Sequence, residues 1–254
     1  MKFEIRSWRA AAVVLAFCVA ALPAATAGDK KDKTKPAPLQ NVDSGSFGIF
    51  IKGQRVATET FKIEQQSGSS IVKSQLKATA GPESASQKSE LDMTASGELL
   101  RYEWSQASGA SLAVFPSNDF LMERMTTSGN GKPAEQPFLM PRTTAILDNN
   151  FFVHREVLAW RYLGGACRPE GGNLKCQQGE TQFGVLVPQD HNSISVLLEL
   201  VGKEKVTIRG AERELLRLNL RGEDFQWVLW VDDHDQFKLI RVTIAADDTE
   251  VVRD

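Results

Sequence analysis

Three histidines are the only side chains that titrate near neutral pH without perturbation, and each has a different neighbourhood. His154 stands in Phe151-Phe152-Val153-His154-Arg155-Glu156, His191 in Pro188-Gln189-Asp190-His191-Asn192, and His234 in Asp232-Asp233-His234-Asp235. A helical zinc site would need His-Glu-x-x-His, and a calcium loop a central glycine and a distal glutamate; neither pattern is present. The Asp232 to Asp235 run therefore reads as a solvated turn between two strands. There is no Gly-x-Ser-x-Gly elbow, no Ser-x-x-Lys and no glycine-rich phosphate loop ahead of a helix. His154 as a general base lacks a partner motif, and a hydrogen-bonded helix histidine is the plainer reading. The sequence assigns no catalytic residue, no metal ligand set and no cofactor.

Aromatic and apolar side chains carry more information. Tyr102 and Trp104 share a strand face with Leu100; Trp230 shares one with Val228, and Trp227 the opposite one with Leu229. A strand apolar on both sides is expected to be covered on both sides. Glu59 has the parity of Ala57, Phe61 and Ile63, which places a carboxylate on an apolar face where it needs a partner, solvent or a ligand head group. These residues either fill a core or line an open concave face. In the second case Glu59, Phe61, Tyr102 and Trp104 contact an apolar ligand, with Phe151, Phe152, His154, Leu158 and Tyr162 covering it from a helix.

The elements that position them are mostly strands. From Ser44 onward the chain alternates apolar and polar residues in short runs separated by turn residues, predicting about a dozen strands, among them Ser70 to Thr79, Ser193 to Val201, Lys205 to Arg209 and Phe225 to Asp232. Gly48 to Lys52 and Val56 to Gln65 read as a hairpin, with Gly53-Gln54 as a type II′ turn. Short links imply antiparallel meander connectivity, and so many strands imply a strongly curved sheet, a half-barrel or barrel. One helix interrupts the rhythm, over 151 to 163, with a cap candidate in Asp148-Asn149-Asn150 and a stop at Gly164-Gly165. Apolar on more than one side, it belongs in or across the concave side of the sheet.

The front of the chain predicts export. Lys2, Arg6 and Arg9 precede an apolar run from Ala10 to Leu22, and Ala25-Thr26-Ala27 offers a small-x-small cleavage site. The run is short of the roughly 20 residues that span a bilayer, so residues 1–27 read as a cleaved signal peptide and the rest as not membrane-spanning. Residues 28–43 are charged and contain proline, a flexible leader; 44–254 form a single β-rich domain. Near-balanced charge supplies no field to attract nucleic acid. With Cys18 inside the signal, Cys167 and Cys176 remain, bracketing a Pro/Gly-rich turn, and an oxidising compartment makes them a local disulfide.

The Gly48 to Phe61 hairpin, Leu147-Asp148-Asn149-Asn150-Phe151 and the late Leu229-Trp230-Val231-Asp232 strand with Leu239-Ile240-Arg241-Val242 are similar to bacterial secreted β-rich domains of unknown function. Those domains resemble lipoprotein-carrier (LolA/LolB-like) half-barrels, although such proteins commonly have glycine where Ala57 stands. The resemblance implies a curved antiparallel sheet cupping an apolar cavity with helix cover, and carries over no catalytic residue. The resulting expectation is a periplasmic, non-enzymatic binding protein for a lipid or other apolar small molecule. A cell-envelope interaction or scaffold protein with a filled core, bound to another envelope protein, is the alternative. A hydrolase or isomerase using His154 or the Asp232 to Asp235 run comes third.

Overall fold

Alternating β-branched and polar residues make the first half of the fold an up-and-down meander. In the computed structural model it comprises β1 (Gln40–Ile51), β2 (Gln54–Gln66), β3 (Ser69–Ala78), β4 (Gln87–Thr94), β5 (Leu99–Gln106), β6 (Ser111–Ser117), β7 (Phe120–Thr126) and β8 (Ala134–Phe138). A crossing segment then carries the two-residue β9 (Ala145–Ile146), the helix α1 (Val153–Ala166) and a hairpin of β10 (Cys167–Glu170) and β11 (Asn173–Cys176). The second meander is β12 (Gly179–Val187), β13 (Asn192–Ile208), β14 (Ala211–Arg221), β15 (Gln226–Asp232), β16 (Lys238–Ile244) and β17 (Thr249–Arg253). The structure describes residues 38–127, 132–171 and 173–254. The expected signal peptide and most of the leader lie outside the described residues, and β1 begins at Gln40, inside the stretch read as leader.

The two meanders meet where β1 pairs antiparallel with β17, from Phe47 opposite Arg253 to Ile51 opposite Thr249. The result is a single fifteen-stranded sheet that ends at β8 on one side and β9 on the other, without closing. It curls around α1. The helix meets Glu59 of β2, Tyr102 of β5, Trp227 of β15 and Arg253 of β17, and its Tyr162 bonds Gly179 of β12 and Leu200 of β13. No helix among the described residues is long and apolar enough to cross a membrane.

Three local details differ from the sequence reading. The β1–β2 turn is Lys52-Gly53, with φ of 49° and 74°, so it is a type I′ turn in which both central residues are left-handed. The expected strands over 193–201 and 205–209 are one strand, β13, with a register shift at Gly202 that flips the parity beyond it. That bulge lets the β13–β14 hairpin tip run past β15 and fold over the outer face, where Val206, Ile208 and Leu215 bury against Trp230, Ile240 and Val252. The cover expected on both sides of β15 is thus the core on one face and this arm on the other. Third, α1 starts two residues late, at Val153, and Gly164 and Gly165 lie inside its last turn. The Cys167–Cys176 disulfide is formed, closing the β10–β11 hairpin directly after the helix.

Candidate functional site

The helix enters the sheet through a buried polar network. Phe152 at its N-cap has no side-chain capping bond of its own. Glu59 on β2 supplies the cap from outside: its Oε2 accepts from the Phe152 N–H at 2.6 Å, and its Oε1 from the Val153 N–H at 3.3 Å and the Ser74 hydroxyl at 2.7 Å. A carboxylate at a helix N-terminus is favourable, yet burial dominates and pushes the Glu59 carboxyl up to about 7. Arg155, one turn along and fully buried, donates to the carbonyls of Asp148 and Phe151 and lies 4.9 Å over the Phe152 ring and 4.6 Å over Trp227. Asp148 accepts from the Tyr102 hydroxyl and the Gln189 amide; burial raises the Asp148 carboxyl and, together with the Asp148 charge, the Tyr102 phenol. Both buried acids therefore face a buried cation through the first turn of α1.

His154 sits beside this network without joining it. Its ring lies edge-on to Tyr102 at 5.7 Å, neither nitrogen has a hydrogen-bond partner among the described residues, and burial, then Arg155, push it down to about 3. A neutral imidazole held at 1% exposure is not placed to exchange protons with a substrate. The sign of its linkage follows: a base lowered below its ordinary 6.5 contributes stability that is lost as pH falls from about 6.5 toward 3. His154→Leu is expected to keep the fold, to gain about 1 kcal/mol at pH 7 from removing unpaired polar atoms, and to lose the acid-side decline. Urea unfolding at pH 7 and pH 5 reads both; a loss at pH 7 would show that the imidazole is bonded.

Of the nine residues read as ligand contacts, eight are core. Glu59, Phe61, Tyr102, Phe151, Phe152, His154, Leu158 and Tyr162 are all buried, and only Trp104 is half-buried, its indole N–H donating to Gln87 at 2.8 Å. They lie in the packing around α1, where the helix fills the concave side instead of roofing a void. The cavity between α1, β4 and β5, lined by His154, Leu158, Leu91 and Met93, measures 10 Å³, about one water and far below an acyl chain. The 790 Å³ space lies elsewhere, as a trough across β2 to β7 with Phe61 and Trp104 among its lining. Strand parity puts Lys62, Lys73, Lys88, Arg101 and Arg124 there on the outer face.

Two sites were not legible beforehand. One is the seam between the sheet ends, where the turn at 188–191 reaches over to the first meander. His191, left-handed at φ 49°, meets the fully buried Glu123 of β7 at 2.8 Å, and its carbonyl accepts from Gln136 of β8 at 3.5 Å. Burial raises the Glu123 carboxyl, with the His191 bond opposing. The other lies at the base of α1, where Arg253 reaches Asp43 and Glu156. In both, partners lie more than fifty residues apart, and no local pattern encodes such pairs. The Asp232 to Asp235 turn resolves as anchorage for the arm: Arg213 pairs with Asp232 at 2.5 Å and Lys203 with Asp233 at 2.8 Å.

No protein-family model matches the sequence, and no curated protein does. Among solved structures the chain is similar to a beta-barrel-like protein of a domain of unknown function, DUF1849, from Brucella abortus. The TM-score is 0.44 at 7% identity, over 83% of this chain and 94% of that one.

Proposed function

We propose that the chain is an exported, non-enzymatic interaction protein of the cell envelope, with a filled interior and its partner held on the outside. The observation that carries this reading is the seat of α1. Val153, Leu158, Ala159 and Leu163 are each at most 1% exposed in the concavity, which leaves room for about one water. Chemistry is poorly served by the same arrangement, because His154, Asp148, Glu59 and Tyr102 are sealed from substrate. The carrier-like reading, an apolar or lipid-like ligand in the concave face, would require α1 to leave its capping, Arg155 and Tyr162 bonds together.

The test uses the mature protein from a periplasmic extract. Native mass spectrometry is expected to give the bare polypeptide mass, and a photo-crosslinker in the trough at Lys73 or Arg101 is expected to join a protein partner in cells. Charge reversal of Lys73, Lys88 and Arg101 together should reduce that capture about tenfold, while the unfolding midpoint stays nearly constant because the ion pairs of Lys73 and Arg101 are solvent-exposed. Copurifying lipid in stoichiometric amount would return the interior reading and sink this one.

A further inference from the structure

The two ends of the open sheet are not equally protected. At one end β8 is five residues long, carries Pro137, which has no N–H to offer, and is tied to the seam by the Gln136 side chain. At the other end β12 pairs along its whole length with β13, but on its second side β9 covers only Val185 and Leu186. The Leu147 N–H donates to the Leu186 carbonyl, so Leu186 points its backbone groups outward, and by alternation Gly184, Gln182 and Glu180 do the same. Among the described residues no strand pairs with that stretch, and Glu180, Thr181, Gln182 and Gly184 are exposed. The chain that would have continued β9 across it turns away instead, through the bond from Thr144 N–H to Pro141 carbonyl. No proline or bulge guards these residues.

We infer that the open edge of β12 over Glu180–Gly184 is a docking edge, which takes an extended segment of a partner protein as an added strand in line with β9. The inference rests on the interaction-protein reading and gives it a specific mode. Three outward N–H groups and the two outward carbonyls of Glu180 and Gln182, that of Gly184 being taken by the Ala145 N–H, ask for backbone, not for a small molecule or a headgroup, and strand addition is the way a sheet edge satisfies them. The flanks suit a peptide with alternating apolar residues. Met140 lies over Gly184, 3.2 Å from where a β-carbon would stand, and the neighbouring Leu139 is 93% exposed. On the opposite face of the strand, Phe183 is half-buried under the Arg161 guanidinium at 5.7 Å and offers a second apolar contact. Glu180 is neutralised by Arg221, so the edge has no unpaired charge to repel a strand.

A proline at 182 separates the docking edge from the fold. Its missing N–H points away from β13, so the ladder is kept, while the outward donor is lost and the ring blocks an incoming strand. The probe is an octapeptide of alternating threonine and valine, capped by lysines and labelled for fluorescence anisotropy with the full mature protein. The expected result is saturable binding that Gln182→Pro weakens at least about tenfold and Gln182→Ala changes less than about twofold. The amides of Glu180, Gln182 and Gly184 should gain exchange protection in the complex. No saturable binding, equal binding by Gln182→Pro, or protection on β8 instead overturns the inference. In cells, a trough crosslink to a partner that survives Gln182→Pro would overturn the edge and leave the interaction reading standing; loss of all partner capture with lipid bound would overturn that reading itself.

Discussion

Arg253→Ala is expected to destabilise the protein by about 3–5 kcal/mol, several times the effect of removing any exposed charge. Its guanidinium lies 5.0 Å over Phe61 and 5.7 Å over Phe47, donates to Asp43, and reaches Glu156 at 3.4 Å and the Leu239 carbonyl at 3.3 Å. Both acids are buried, and burial, followed by the bond to Asp43, raises the Glu156 carboxyl. Truncating the arginine leaves two buried carboxyls facing each other at the place where β1, β17 and α1 meet, with Lys238, 3.8 Å from Asp43 and at the margin of the cluster, as the remaining cation. Its position enlarges the effect, because the β1–β17 pairing joins the two meanders. Arg209→Ala is the contrast: that side chain pairs with Asp254 at 2.7 Å at the surface, and its loss should cost less than about 1 kcal/mol. Urea unfolding of both variants at pH 7 decides the matter. An Arg253→Ala loss no larger than that of Arg209→Ala would mean the acids relax to solvent and the cluster is not a buried one.

How much of this was legible depends on the range of the interaction. Strands announce themselves in two-residue alternation, and Ser70 to Thr79 or Phe225 to Asp232 were readable within a residue or so of β3 and β15. The pairing of Cys167 with Cys176 and the place of α1 between the meanders were equally local. The start of α1 was not. Asp148, Asn149 and Asn150 have capping chemistry, but Asp148 is spent on Tyr102 and Gln189, and the cap comes from Glu59, ninety-three residues away from Phe152. Glu59 was singled out because a carboxylate on an apolar face must find donors. Sequence parity shows that the donors exist and not which they are, so a helix N-terminus and a ligand head group look alike from β2. The open concave face failed for a related reason: period-2 patterning tells which face is apolar, while what covers that face is a matter of packing volume. The arm over Trp230 turned on the single bulge at Gly202, where one extra residue sends Val206 and Ile208 to the opposite side.

The pH dependence of stability should carry the signature of Glu59. A carboxyl whose ordinary value is 4.5 and which burial pushes up to about 7 binds its proton more tightly in the folded chain than in the unfolded one. Its contribution is therefore full below about pH 4.5, declines as pH rises toward 7 and is gone above, worth about 3 kcal/mol at most across that window. Asp148, Glu123 and Glu156, all raised by burial, act in the same direction, while His154, lowered to about 3, acts against them on the acid side. Glu59→Gln isolates one group from this mixture. The amide oxygen can still accept from the Phe152 N–H, so the cap survives in neutral form and the other titrations cancel between the two proteins. The stability difference between wild type and variant should then move in favour of glutamine by up to about 3 kcal/mol from pH 4.5 to pH 8. Urea unfolding at half-unit steps across that range gives the difference curve. Parallel stability curves would place the Glu59 carboxylate in contact with water or a second cation, and with it would go the claim that α1 is capped by a buried acid.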